Sequence, residues 1–178
     1  APALVMTELR ALLRSLFGLK IPLPEMMTRI NNILCQDLPS DRFVTAFCGV
    51  LSPARHELHY ASAGQGPLLH IRPAAGTIES FGANACPLGI IADMPFPLAD
   101  PIRLAPGDLF LVITDGFFEW ANKDGELFGI DRLQEFALRH ADLSARDFIA
   151  AILDAVERFA PATTQKDDLT AVVVKRNR

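Results

Sequence analysis

Asp108-Leu-Phe-Leu-Val-Ile-Thr-Asp-Gly116 sets five consecutive apolar residues, Leu109 to Ile113, directly before a polar Thr-Asp-Gly. An unbroken apolar run of this kind reads as a β-strand covered on both faces, since a half-exposed strand would alternate. Pro106-Gly107 just upstream is turn chemistry, and Ile102-Arg-Leu104 forms a short strand on its other side. The strand therefore ends at Thr114, and Asp115-Gly116 begins whatever follows it.

Upstream the same reading gives a strand meander. Phe43-Val-Thr-Ala-Phe-Cys-Gly-Val-Leu51 is rich in β-branched and aromatic residues. Ser52-Pro-Ala-Arg55 turns the chain, and Glu57-Leu-His-Tyr-Ala61 alternates as the return arm of a hairpin. After Gly64-Gln65-Gly66-Pro67 come Leu68-Leu-His-Ile-Arg72, a turn at Ala75-Gly76 and a short strand over 77–81. Residues 83–96 form a loop rich in Pro and Gly. Ahead of the strands lies a helical pair. Leu4, Met6, Leu9, Leu12, Leu13, Leu16 and Phe17 recur at helical spacing until Gly18. Pro24 opens a second helix with Met27, Ile30, Ile33 and Leu34 on one face, ending before Pro39.

Downstream, residues 131–140 carry Leu133, Phe136 and Ala137 at helical spacing. Ser144 followed by Asp147 resembles a capping box, and opens a helix with Phe148, Ile149, Ile152, Leu153, Val156 and Phe159 inward, closed by Pro161. Leu169-Thr-Ala-Val-Val-Val174 is the last strand, with a polar tail from Lys175. Helices segregated in sequence from antiparallel strands make the fold class α+β.

At 178 residues the chain is one domain, and its 50% hydrophobic content builds a sizeable core. Lys+Arg 17 against Asp+Glu 21 gives a net charge of -4 with no basic run, which argues against nucleic acid and anionic membrane as partners. No apolar stretch approaches the roughly 18 residues of a bilayer span, so membrane insertion is not expected. Cys35, Cys48 and Cys86 are scattered and odd in number, as for free or buried thiols in a reducing compartment. With no secretion signal, the expected location is cytoplasmic.

Two acidic clusters stand at strand ends. Thr114-Asp115-Gly116 follows one apolar strand, and Lys166-Asp167-Asp168-Leu169-Thr170 precedes another. If those strands are antiparallel neighbours, Asp115 comes close to Asp167 and Asp168. Carboxylates so gathered repel unless a proton or cation neutralises them. Hard divalent ions take such oxygen ligands. Asp-Gly also forms plain turns and Asp-Asp also caps strands, so a cation site and ordinary turns both remain open. Other candidates are weaker. His56 and His59 project from opposite faces of a strand, and His70 and His140 lack acidic or Cys neighbours in sequence. Gly64-Gln65-Gly66 lacks the third Gly and the helix of a dinucleotide loop. Asp124-Gly125 reads as a turn and Trp120 as a packing residue.

Taken in order, these motifs resemble the PPM-type serine/threonine phosphatases, in the bacterial branch represented by SpoIIE and RsbU. The matching strings are Tyr60-Ala-Ser-Ala-Gly64 with Pro67, Pro87-Leu-Gly89 and the long run Leu104-Ala-Pro-Gly-Asp-Leu-Phe-Leu-Val-Ile-Thr-Asp-Gly-Phe-Phe-Glu119. Glu126-Leu-Phe-Gly129 with Arg132-Leu133, and finally Gln165-Lys-Asp-Asp-Leu-Thr170, complete the series. The resemblance implies a β-sandwich of antiparallel strands flanked by helix pairs, binding two manganese or magnesium ions at one end of the sheets. It further implies attack of metal-activated water on phosphoserine or phosphothreonine. On this resemblance Asp115 and Asp167 are the catalytic metal ligands, Asp168 is a further ligand, and Gly116 lies at the cofactor. The implied partner is a phosphorylated regulatory protein of the anti-sigma antagonist type. A sensor or receiver domain is expected N-terminal to this one in the parent chain, and a homodimer is compatible with the family.

Two departures qualify the likeness. The family's first metal motif, an Asp-bearing strand followed by Gly-His-Gly, belongs just before a helix that begins like Ala1-Pro-Ala-Leu-Val-Met6. Gln65 also stands where the family usually has His. The chain over 1–178 is thus expected to be a phosphatase domain without its N-terminal strands, weakly active or inactive by itself. Two rival readings stand beside it: a catalytically degenerate binding module, and a structural oligomerisation domain whose Asp pairs are turn residues.

Overall fold

The computed structural model describes residues 2–161 and 167–177. They divide into two compact units, one running to Gln65 with Gly82–Ile102, the other Gly66–Phe81 with the chain from Arg103 onward.

In the first unit, helix α1 (Pro2–Gly18) and helix α2 (Leu23–Asp37) precede strands β1 (Ala46–Ser52) and β2 (Glu57–Ala63). Helix α2 starts one residue ahead of the expected Pro24, with that proline in its first turn, where a missing N–H costs nothing. Its buried face is Met26, Met27, Ile30, Asn31 and Leu34, while Ile33 is only partly covered. Asn31 is completely buried, yet satisfied: its amide donates to Ile91 O at 2.8 Å, and its Oδ1 accepts from Gly89 N at 2.9 Å. The hairpin pairs Ala46 with Ala63 through Ser52 with Glu57, as the sequence pattern expects. Leu9, Met27, Ile30, Leu34, Ala61 and Phe96 form this unit's core.

Strands β3 (Leu68–Arg72), β4 (Thr77–Phe81), β6 (Leu109–Ile113) and β7 (Ala171–Lys175) build the second unit's antiparallel sheet in the order β4-β3-β6-β7. The expected single meander is therefore split. Gly64 takes φ +71° and ends β2, its N–H bonding Ala85 O at 2.9 Å, and β3 then pairs with β4 and β6. The Pro106-Gly107 turn does not join a hairpin either, because β5 (Ile102–Arg103) belongs to the sheet β1-β2-β5. A central position suits β3, whose Leu68, Leu69 and Ile71 are fully buried.

Strand β6 behaves as its composition requires. Leu109, Phe110 and Leu111 are 0% exposed and Ile113 1%, so both faces are covered. Each such side chain contributes about 1.5–3 kcal/mol on burial. Leu109, Leu111 and Ile113 pack with Leu133 and Ala137 of α3 (Ile130–Arg139) and Phe148, Ile152 and Val156 of α4 (Ala145–Phe159). Ser144 caps α4 as expected, its Oγ accepting Asp147 N at 3.1 Å. Lys175 is not tail but the last residue of β7. Its Nζ donates to Ala141 O at 2.7 Å and Leu143 O at 2.5 Å, using a flexible cation to satisfy carbonyls after α3. Among the described residues no helix is long and apolar enough to cross a membrane.

Candidate metal and phosphate site

The condition set by the sequence is met: β6 and β7 are antiparallel neighbours, paired from Leu109 with Lys175 to Ile113 with Ala171. The C-terminal end of β6 thus lies beside the N-terminal end of β7, and the two acidic motifs share one sheet edge. Beyond Ile113 the chain stays extended for one residue at Thr114, then closes into a 3-10 turn over Asp115–Phe117. Asp115 anchors that turn: its carbonyl accepts from Phe118 N at 3.0 Å and Glu119 N at 2.8 Å, and its Oδ1 from Gly116 N at 3.0 Å. Asp167 repeats the last device, its Oδ1 accepting Asp168 N at 2.8 Å.

Gly116 is buried where the motifs touch. A Cβ at this position would lie 2.5 Å from Asp168 O and 3.2 Å from Leu169 Cδ2. Since the nearest obstacle is backbone, any side chain must push the motifs apart. We expect Gly116→Ala to cost about 1–3 kcal/mol, the usual range for overpacking. Thermal or urea unfolding measures this, and an unchanged transition would show that the contact relaxes freely.

Asp115, Asp167 and Asp168 are exposed. Their chemistry suits a hard divalent cation, because carboxylate oxygens are the ligands such ions take and each carboxylate offers about four lone-pair sites. The amides of Gly116 and Asp168 also orient the two carboxylates, which lowers the ordering cost of ligation. Among the described residues, no group of three or more His, Cys, Asp or Glu side chains is gathered at ligating distance. These carboxylates therefore fit part of a coordination shell. Gln165 and Lys166 of the closing motif lie outside the described residues.

The remaining candidates fall elsewhere. His56 sits exposed in the β1–β2 turn at φ 54°. His140 stacks on Phe136 at 4.1 Å and bonds its carbonyl through Nδ1. Asp124-Gly125 is a turn whose Asp124 and Glu126 amides donate to Asn122 Oδ1 at 3.0 Å, and Trp120 packs against the second core. Burial pushes the Cys48 thiol up, the wrong direction for a thiolate nucleophile. His70 differs from the sequence expectation. It does have an acidic partner, Asp108, 38 residues away, with Nε2 at 2.9 Å from Oδ2 and both side chains almost fully buried. Sequence reading also missed the role of Thr114, whose hydroxyl bridges to the other motif; a Thr before Asp-Gly was the only signal.

Among the described residues, two sheets with four helices make the fold of a PP2C-like phosphatase domain. The family described as Stage II sporulation protein E (SpoIIE) matches residues 1–177, and the chain belongs to it. Phosphoserine phosphatase RsbU of Bacillus subtilis (strain 168) is 26% identical over 174 residues, which cover 98% of this chain and 51% of RsbU. The RsbU and RsbW domains of Rv1364c from Mycobacterium tuberculosis match with TM-score 0.72 at 26% identity, over 98% of this chain and 48% of theirs. The PP2C phosphatase domain with a regulatory-domain fragment of Bacillus subtilis SpoIIE matches with TM-score 0.77 at 21% identity, over 95% and 48%. The chain thus spans about half the length of these relatives. A SpoIIE phosphatase domain presoaked with Mn and RsbX in complex with magnesium share the fold at TM-scores 0.59 and 0.64.

Proposed function

We propose that this chain is the catalytic domain of a divalent-metal-dependent protein phosphatase acting on phosphoserine or phosphothreonine. The observation that carries this is the Thr114-Asp115-Gly116 motif held against Asp167-Asp168 at one sheet edge, in a chain of the SpoIIE family. Asp115, Asp167 and Asp168 would hold the ions, and Gly116 would keep the two ligand-bearing segments within reach of the same ions. When bound, such ions supply Lewis acidity toward phosphoryl oxygens and lower the pKa of water. The chain's own part is to place anionic oxygens at fixed positions on an exposed edge, where a phosphorylated side chain of another protein can approach.

The substrate class we infer is a small phosphorylated regulator of the anti-sigma antagonist type, supported by the match to the phosphatase RsbU. The parent protein on this reading adds a sensor or receiver domain, in keeping with relatives about twice the matched length. A homodimer and a cytoplasmic setting belong to the same proposal.

The test uses the full-length protein and a phosphoserine peptide. Phosphate release should stop when EDTA removes divalent ions and return with manganese or magnesium. Release that ignores chelation, or none with either ion, sinks the reading; peptide binding without turnover would instead support a degenerate binding module.

A further inference from the structure

We infer that Thr114 is a positioning residue of this site, whose hydroxyl replaces a backbone carbonyl in the β6–β7 ladder and so lets the chain turn at Asp115. The inference rests on the metal-dependent phosphatase reading above and deepens it.

Hydrogen bonding at the end of the ladder carries the argument. An antiparallel hydrogen-bonded pair exchanges two N–H···O=C bonds between facing residues. Thr114 faces Thr170, one step beyond the last pair, Ile113 with Ala171. One of the two bonds is regular, Thr114 N donating to Thr170 O at 3.0 Å. The return bond is not. Thr170 N donates to Thr114 Oγ1 at 3.0 Å instead of to the Thr114 carbonyl. That carbonyl accepts from Phe117 N at 3.3 Å, which closes the 3-10 turn carrying Asp115 and Gly116. The Thr114 hydroxyl has Asp168 O at 3.2 Å as its nearer acceptor, with Thr170 O at 3.4 Å.

One side chain thus does three things. It keeps the partner strand's amide satisfied, releases its own carbonyl to start the turn, and ties the backbone of Asp168 to the Asp115 segment. A plain strand residue would use the carbonyl for the ladder, and Asp115 would continue the strand. Its carboxylate would then leave the edge on which Asp167 and Asp168 stand. A β-branched residue suits the extended backbone here, but only one bearing a hydroxyl closes the network.

The experiment compares Thr114→Val, Thr114→Ala and Thr114→Ser with wild type and Asp115→Asn in the full-length protein. Two quantities are read: the manganese concentration giving half of the metal-induced rise in melting temperature, and kcat and KM on a phosphoserine peptide. Outer-sphere hydrogen-bond partners of metal ligands are typically worth about 10–100-fold in metal affinity or activity. Thr114→Val and Thr114→Ala should both raise the manganese midpoint by about that factor and lower kcat more than they change KM. Thr114→Ser should stay near wild type, which a loss through packing alone would not allow. If Asp115→Asn loses the manganese response while both hydroxyl-free variants keep the wild-type midpoint, the Thr114 assignment is overturned. If wild type and Asp115→Asn respond to manganese identically, the phosphatase-site reading itself is wrong. Should Thr114→Val not fold without metal, Thr114→Ala and Thr114→Ser decide between the same outcomes.

Discussion

Asp115→Asn lowers kcat/KM on a phosphoserine peptide about a thousandfold at saturating manganese, with the fold left in place. The substitution is chosen for what it keeps. Asn Oδ1 can still accept the Gly116 amide, now made by Asp115 Oδ1 at 3.0 Å, so the 3-10 turn survives. The position is exposed, and substitutions at such places usually change stability by less than about 0.5 kcal/mol. What disappears is the negative charge. Metal ions contribute several kcal/mol of transition-state stabilisation, and at 1.36 kcal/mol per decade that is about three powers of ten. Asp167→Asn keeps its contact to Asp168 N for the same reason and should give a similar loss. Because the two carboxylates act as a unit, the double variant should be little worse than either single one. Activity within tenfold of wild type in either single variant, with an unchanged melting curve, removes that carboxylate from the site.

The parts of this arrangement that sequence could show are those fixed by short-range pattern. Five apolar residues in a row cannot be half exposed, so Leu109–Ile113 was recognisable as a covered strand, and burial to 1% or less at Leu109, Phe110, Leu111 and Ile113 follows. Helix α4 was legible for a similar reason, since Ser144 and Asp147 signal the start locally and Phe148, Ile152 and Val156 repeat at helical spacing. Which strands share a sheet is a different kind of information. The strand pattern of 57–61 and 68–72 looks alike on both sides of Gly64, yet β2 and β3 pair in different sheets. The acidic motifs could be joined only conditionally, on the pairing of β6 with β7. Gly116 was visible as part of a motif, but not as the point where Asp168 O leaves no room for a Cβ. Thr114 carried even less signal, because a hydroxyl standing in for a carbonyl is a property of the ladder end. His70 shows the same limit at the other end of β6, its partner being 38 residues away.

That His70–Asp108 pair supports the second large expected effect, on stability. Asp108→Ala should cost about 1–3 kcal/mol, the range for leaving a buried donor without its acceptor. Asp108 is 2% exposed, and its Oδ2 accepts from two donors, His70 Nε2 at 2.9 Å and Ala105 N at 2.9 Å. Donation by the ring is what a carboxylate acceptor requires. The backbone of Asp108 is committed as well. Its N–H donates to Ala105 O at 3.0 Å, and its carbonyl accepts from Arg176 N at 3.0 Å, so the turn that launches β6 is fastened to the end of β7. Truncation to Ala leaves the buried His70 ring and the Ala105 amide without that acceptor. At about 2–4 °C per kcal/mol for a domain of this size, the melting temperature should fall by roughly 2–12 °C. His70→Leu in the same chain should recover part of the loss, because the ring donor goes while the Ala105 amide remains unpaired. Asp108 lies at the opposite end of β6 from Asp115, roughly 20 Å away at ~3.4 Å per residue, so turnover per folded molecule should not change. A small effect in Asp108→Ala, or no recovery in the double variant, would mean that Glu79, 3.8 Å from His70 Nδ1, or solvent takes over the role assigned to Asp108.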